Sequence, residues 1–500
     1  MRRALAIGTA AGLCIGLAAT PTELYALAWL GPALLLIGIE SLDGVIVRPR
    51  VALVLGLASG FATNAWTMRW AVELFERYAM LPWIAALGLA SLLWLGQAAP
   101  WAIGCWLASA IGTRAPRWIT LPLSLLIASS LVPMIFPWRP GVSQTGWLPF
   151  VQCAELGGPP LLDAVFLFGS CAAVHALRHR HRVATIVALA CITVPLAFGV
   201  LRIDEVRAMR DLSPRLRVGL MQHGHGIEEQ EDAMRSIHVA EEDHHEMRLA
   251  TARLEHRGAD LVVWPESSYR FGWPRDAHAD PLGPIGFFED GVHGPLLVGS
   301  ITGDWGTRRW NSVLAIEDGA VTGIADKVHL MTFTEEVPLR DAPMLSQFLP
   351  RGLEVGDVRT DVLAIADTRI GILNCFEDLV PDHAREITAL GAALLSNHTN
   401  DAWFGDTGAP AMHRFLSTTR SIETRRDLVR VVGTGPSGLT NAIGERDGGT
   451  PLFEPAERVV DARMMQITTP WVRFGDLVTW PAIALLVLIG TRRTRGSVDA

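Results

Sequence analysis

Seven apolar runs, at about 4–20, 22–41, 51–68, 82–106, 118–136, 160–177 and 183–201, precede a polar stretch, and an eighth follows at 475–491. Crossing a bilayer as a helix takes about 20 apolar residues, so this pattern predicts eight spans, several of them short. The first, with Arg2 and Arg3 ahead of it, also has the layout of a signal peptide, which would leave the later spans oriented the same way. Three segments follow: a transmembrane bundle over 1–202, a soluble domain over 203–470, and a last span with a tail over 471–500. The stretch 203–216, with Pro214, reads as the linker between the first two.

Arginine placement gives the orientation. The clusters are Arg2 and Arg3; Arg48 and Arg50; Arg114 and Arg117; Arg178, Arg180 and Arg182; and Arg492, Arg493 and Arg495. With eight spans all of them fall on one face, the cytoplasmic one. The large domain then lies on the other side. Pro100 inside the fourth run is the weak point of the count, since it could divide two helices. The segment Trp66–Tyr78 mixes aromatics with charge, as membrane–water interfaces do. The spans read as a scaffold and not as a transport path, because their charges sit at the ends, as Asp163 and His175 do.

The net charge of −8 argues against a nucleic-acid partner. Of 43 basic residues one, Lys327, is lysine. Where arginine serves every other cationic position, a retained lysine marks a place for a compact ammonium. Of six cysteines only Cys375 falls in the polar stretch, which excludes a disulfide or a multi-cysteine metal site there. His238, His244 and His245, among Glu241, Glu242 and Asp243, read as the solvated face of a polar helix over 229–257. Strands are predicted at 217–222, 261–266, 296–301, 310–317, 361–366, 369–374, 392–397 and 429–434, and helices at 381–390 and 411–427. This alternation predicts a layered α/β domain.

Three segments carry chemistry. Val262-Val-Trp-Pro-Glu266 ends an apolar strand in a carboxylate, where partial desolvation suits general acid–base work. Asp326-Lys327-Val-His-Leu330 holds the single ammonium, able to stabilise an oxyanion or a thiolate. Ile370-Gly-Ile-Leu-Asn-Cys375-Phe-Glu-Asp378 delivers a thiol to a strand-to-helix turn, where backbone N–H groups favour thiolate and oxyanion. Base, cation and nucleophile thus occur in the order Glu, Lys, Cys.

That order, with Asn400-Asp-Ala-Trp-Phe-Gly-Asp406 and the later His413, Arg420, Glu423 and Arg430, resembles the nitrilase superfamily and its membrane-embedded branch, the apolipoprotein N-acyltransferases. The resemblance covers the whole chain. It implies an αββα sandwich on the periplasmic side of a bacterial inner membrane, with no cofactor and no metal. It implies that Cys375 is the nucleophile, Glu266 the general base and Lys327 the oxyanion stabiliser. Glu335, with Glu336 as its rival, and Glu377 match supporting acids, and Trp403 a pocket wall. The implied partners are the lipid bilayer, a phospholipid acyl donor and a diacylglyceryl apolipoprotein acceptor. Thr332 and Thr334 around Phe333, and Gln222-His-Gly224 after the first strand, depart from the family pattern and bear on the acceptor. A membrane-tethered amidase, another acyltransferase, or a catalytically silent lipoprotein-binding paralogue are the alternatives.

Overall fold

The computed structural model describes residues 1–500 except 20–21, 43–47, 78, 113, 282, 305–307, 333, 337–351 and 492–500. Tyr78, Phe333, much of the 331–360 loop and the last arginine cluster therefore lie outside the described residues. The chain divides into two compact units, Met1–Asp204 with Phe474–Ala500, and Glu205–Arg473.

The first unit is helical. Among the described residues three helices are long and apolar enough to cross a membrane: Trp83–Ile111, Ala154–His179 and Arg182–Leu212. A fourth is reached if Pro49–Thr67 and Ala71–Arg77, bent by 60°, count as one. Tyr25–Glu40, Arg117–Leu131 and Thr479–Thr491 are apolar but shorter. At the Pro100 position the chain forms Trp83–Gln97 and then Ala99–Ile111, with the proline in the first turn of the second helix, where its missing N–H costs nothing. Asp163 is fully buried, accepts the Gly141 N–H and faces Arg139, a structural role for the deepest acid of that helix. The expected linker differs from the prediction: the helix Arg182–Leu212 runs through most of it, because nothing between Ile203 and Leu212 breaks the helix.

The second unit is a four-layer αββα sandwich. One sheet is built from β1 (Arg215–Gln222), β2 (Leu261–Val263), β3 (Tyr269–Pro274), β4 (Leu296–Gly303), β5 (Arg309–Glu317), β6 (Ala320–Asp326) and a late strand, Ala456–Arg463. Its order is Ala456–Arg463, β1, β2, β4, β5, β6, with β3 also on β4. The other comprises β7 (Val362–Ile365), β8 (Thr368–Asn374), β9 (Leu394–Thr399), β10 (Leu428–Val432) and β11 (Gly438–Thr440), in the order β11-β10-β9-β8-β7.

Period-two alternation decides which side chain enters which layer. Leu216, Val218 and Leu220 of β1, with Leu261 and Val263 of β2, meet Ile370, Ile372, Val429 and Val431 between the sheets. Val262 and Trp264 point the other way, onto Met247 and Leu254 of the helix Ile237–His256. On the far side Leu373 and Leu395 pack on Ala384 and Ile387 of the helix Pro381–Ala389. Each fully buried Leu, Ile or Val contributes about 1.5–3 kcal/mol relative to exposure.

Two further predictions are corrected. The polar helix expected over 229–257 is two helices, Ile227–Arg235 and Ile237–His256, separated by extended Ser236. Its histidines do not share a solvated face. His238 is exposed and His245 bonds Asp290, but His244 is 1% exposed, ringed by Trp264, Tyr269, Phe271 and Phe287. Burial pushes the His244 imidazole down to about 4, so it is neutral at physiological pH.

Candidate active site

Sheet edges bring the three predicted residues together. β2 ends at Val263, and Trp264-Pro265 turns the chain so that Glu266 stands just past the strand. β6 ends at Asp326, which places Lys327 one residue beyond it. β8 ends at Asn374, and Cys375 opens a short 3-10 turn, Cys375–Leu379. Cys375 has φ of +57°, a left-handed conformation that costs a non-glycine residue of order 1–3 kcal/mol. The residue is partly exposed, while Asn374 and Glu377 beside it are 1% exposed.

Glu266 is the hub. Its Oε1 accepts from Lys327 Nζ at 3.2 Å and from Asn311 Nδ2 at 2.7 Å. Its Oε2 accepts the Asn400 backbone N–H at 2.9 Å, and the Cys375 thiol lies close enough to interact electrostatically with the same carboxylate. Glu335 Oε1 accepts from Lys327 Nζ at 2.9 Å and from Asn311 Nδ2 at 2.8 Å, and its Oε2 accepts the Met331 N–H. Glu336 is exposed, so of the two adjacent acids Glu335 is the one facing the ammonium.

Glu377 does not touch the ammonium directly. Its Oε1 accepts the backbone N–H groups of Val328 and His329 at 2.7 and 2.8 Å, and its Oε2 accepts that of Asn374 at 2.7 Å. It ties the lysine loop to the nucleophile turn. Trp403 is carried on Ala402–Phe404, the turn directly after Asn400-Asp401, and is 38% exposed.

Electrostatics assign the resting protonation. Burial pushes the Lys327 ammonium down, but the carboxylates of Glu266 and Glu335 outweigh it and hold the group charged. Burial, foremost, raises the Glu266 carboxyl above its usual range, which strengthens it as a base. The thiol departs from expectation. Burial first, then the negative charge of Glu266, pushes Cys375 well above an ordinary cysteine, and Lys327 does not reverse this. Cys375 rests as a neutral thiol and not as a thiolate. The helix-start effect has little to act with, because the turn after Cys375 is five residues of 3-10 helix.

Asn311 was missed at the level of sequence. It is 3% exposed in mid-strand β5, and its carbonyl accepts from Asn374 Nδ2 at 3.0 Å, so it touches all three segments of the site. Its signal was a lone amide close ahead of the apolar run Val313-Leu-Ala-Ile316. Gly299 of β4 was missed for the opposite reason, having no side chain. A Cβ there would lie 2.2 Å from the Pro265 carbonyl and 2.7 Å from Glu266 Cα. Gly299→Ala therefore displaces the glutamate backbone. A shift on the order of 1 Å costs about 100-fold in rate, so acyl transfer by this variant falls by that order, as measured in detergent against wild type of matched folded content.

Among the described residues one trio has the spacing of metal ligands, Glu40, His175 and His179, in the first unit, and there Arg178 already pairs with Glu40.

Both units of the chain contain a match to a known family. Residues 217–460 match the carbon–nitrogen hydrolase family, and residues 11–172 match the apolipoprotein N-acyltransferase N-terminal domain. An apolipoprotein N-acyltransferase of Geobacter metallireducens is 29% identical over 520 residues, covering 97% of this chain and 94% of its own. That of Gloeobacter violaceus is 28% identical over 527 residues, covering 97% and 93%. Among solved structures, a variant of an amidase of the nitrilase superfamily from Nesterenkonia AN1 aligns with 52% of this chain and 95% of its own, at 19% identity and a TM-score of 0.34.

Proposed function

We propose, for a chain that belongs to the apolipoprotein N-acyltransferase family and is an N-acyltransferase, that Cys375 takes an acyl group from a phospholipid as a thioester and passes it to the N-terminal amine of a diacylglyceryl-cysteine lipoprotein. The observation that carries this reading is one buried carboxylate, Glu266, hydrogen-bonded to the ammonium and close enough to the thiol to interact with it.

In the first half-reaction Glu266 takes the thiol proton as Sγ attacks the ester carbonyl carbon. The carbonyl π pair moves to oxygen. Two of the three Lys327 N–H bonds are engaged by Glu266 and Glu335, which leaves a third for that oxyanion. The intermediate collapses by breaking the ester C–O bond, and Glu266 returns the proton to the leaving lysophospholipid oxygen. In the second half the acceptor amine, having lost one proton to solvent, attacks the thioester. Glu266 takes a proton from the nitrogen, the C–S bond breaks, and sulfur takes that proton back. The product is an amide, and the thiol is restored.

A neutral resting thiol fits this cycle, since activation then occurs only with substrate in place. Both substrates carry acyl chains held in a bilayer, which gives the apolar helices of the first unit a purpose: they keep enzyme and substrates in one phase. The catalytic unit then faces the periplasm from the inner membrane, as the arginine distribution predicts. Trp403 walls the acyl pocket, and the departures around Phe333 and Gln222 bear on acceptor choice.

The test is intact-mass analysis of the full-length protein in detergent after incubation with a diacyl phosphoglyceride. The expected result is one acyl adduct on Cys375, labile to hydroxylamine, stable in water and discharged by a diacylglyceryl lipopeptide. Discharge by water alone would instead mark a hydrolase, and absence of any adduct would end the reading.

A further inference from the structure

Behind the nucleophile lies a closed group of four buried charged side chains that the reaction above does not use. Asp378 is three residues after Cys375, and Asp401 is one residue after Asn400. His413, on the helix Ala409–Thr424, reaches both, Nε2 to Asp378 Oδ1 at 2.8 Å and Nδ1 to Asp401 Oδ1 at 3.1 Å. Arg430 of β10 also reaches both, through Nη1 to Asp378 Oδ2 and through Nη2 to Asp401 Oδ2 at 3.0 Å. Asp378 and Asp401 are 0% exposed, Arg430 2% and His413 7%.

A ring with a carboxylate oxygen at each nitrogen donates from both, which requires the imidazolium. Two anions and two cations then balance. Burial and Arg430 push the His413 imidazole down, but Asp378 and Asp401 outweigh them and raise it to about 9. Truncating one member of such a group leaves an uncompensated buried charge, the costly case for interior ion pairs.

The group connects to the reacting atoms at two points. Arg430 Nη1 donates to Asn397 Oδ1 at 2.7 Å, and Asn397 Nδ2 donates to the carbonyls of Leu373 and Cys375 at 3.0 and 2.8 Å. Carbonyls on both sides of the left-handed Cys375 turn are thereby held. On the other side Asp401 fixes the segment whose Asn400 N–H supports Glu266.

We infer that His413 and Arg430 are positioning residues that clamp the nucleophile turn, through Asp378 and Asn397, to the turn that holds the base, through Asp401 and Asn400. The clamp keeps Cys375 close to Glu266 and touches no substrate. The inference rests on the assignment of Cys375 and Glu266 proposed above.

The test compares wild type, His413→Gln and Arg430→Lys as full-length proteins in detergent. The amide introduced by His413→Gln donates from a single nitrogen where the ring donates from two, and Arg430→Lys keeps the charge but loses the fork. Single-turnover acyl-adduct formation from a diacyl phosphoglyceride gives a rate constant and an amplitude. Alkylation of Cys375 by iodoacetamide gives a rate that does not depend on lipid. A merely structural role lowers the amplitude, the folded fraction, and leaves the rate constants alone. The expected result is a fall of about 100-fold in the acylation constant of both variants, with slower alkylation and amplitude retained. Rate constants within about threefold of wild type in either variant, or loss of amplitude only, overturn the clamp. If His413→Gln does not fold, the charge-conserving Arg430→Lys decides. If wild type forms no acyl adduct, the thioester reading fails while the alkylation comparison still judges the clamp.

Discussion

Cys375→Ala abolishes acyl transfer: activity falls roughly 10⁶-fold, as loss of the nucleophile does in other covalent acyl-transfer enzymes, while the protein stays folded. The substitution removes one sulfur from a partly exposed position and keeps a Cβ, so neither packing nor the left-handed turn changes. Glu266 keeps its donors Lys327, Asn311 and Asn400. The effect is therefore chemical and not conformational. It is read as turnover of phospholipid with lipopeptide acceptor, with the unfolding midpoint as control. Activity above a hundredth of wild type would remove Cys375 from the mechanism.

Lys327→Arg costs acylation about 10²–10³-fold, the range for losing one oxyanion donor, although the charge is kept. Lys327 is 2% exposed, between Glu266 and Glu335 and 5.6 Å from the centre of the Phe376 ring. A planar guanidinium there still pairs with both acids, but its fixed fork cannot turn a third donor to the oxyanion. Lys327→Ala differs in kind, since buried Glu266 and half-buried Glu335 are then left without their cation, at about 3–5 kcal/mol of stability. Single-turnover acylation of the arginine variant separates the two effects. A rate within tenfold of wild type would show that charge alone is required and would undo the argument from the solitary lysine.

Legibility in the sequence followed distance along the chain. Strands β1, β4, β5, β7, β8, β9 and β10 are predicted near their observed limits, because alternation and Gly or Pro punctuation are local signals. Strands β3, β6 and β11 and the closing strand Ala456–Arg463 were not predicted. β3 and β6 carry glycine, and β6 alternates weakly, so their strand character comes from pairing with neighbours already in place. The break at Ser236 is invisible to a helical pattern that is polar on most sides. His244 reads as solvated until the aromatic residues of β3 and its neighbours close over it.

Residue types in order point to a base, a cation and a nucleophile, and eight apolar runs with one-sided arginines lead to the expectation of a membrane bundle beside one α/β domain. These are properties of covalent order and of hydrophobic period. Tertiary structure decided what the chemistry depends on next: that one carboxylate holds the ammonium and lies close to the thiol, that Asn311 joins the three segments, and that Cys375 rests protonated. Each depends on desolvation and on contacts between residues scores of positions apart, and both quantities take a value only when the two sheets have packed.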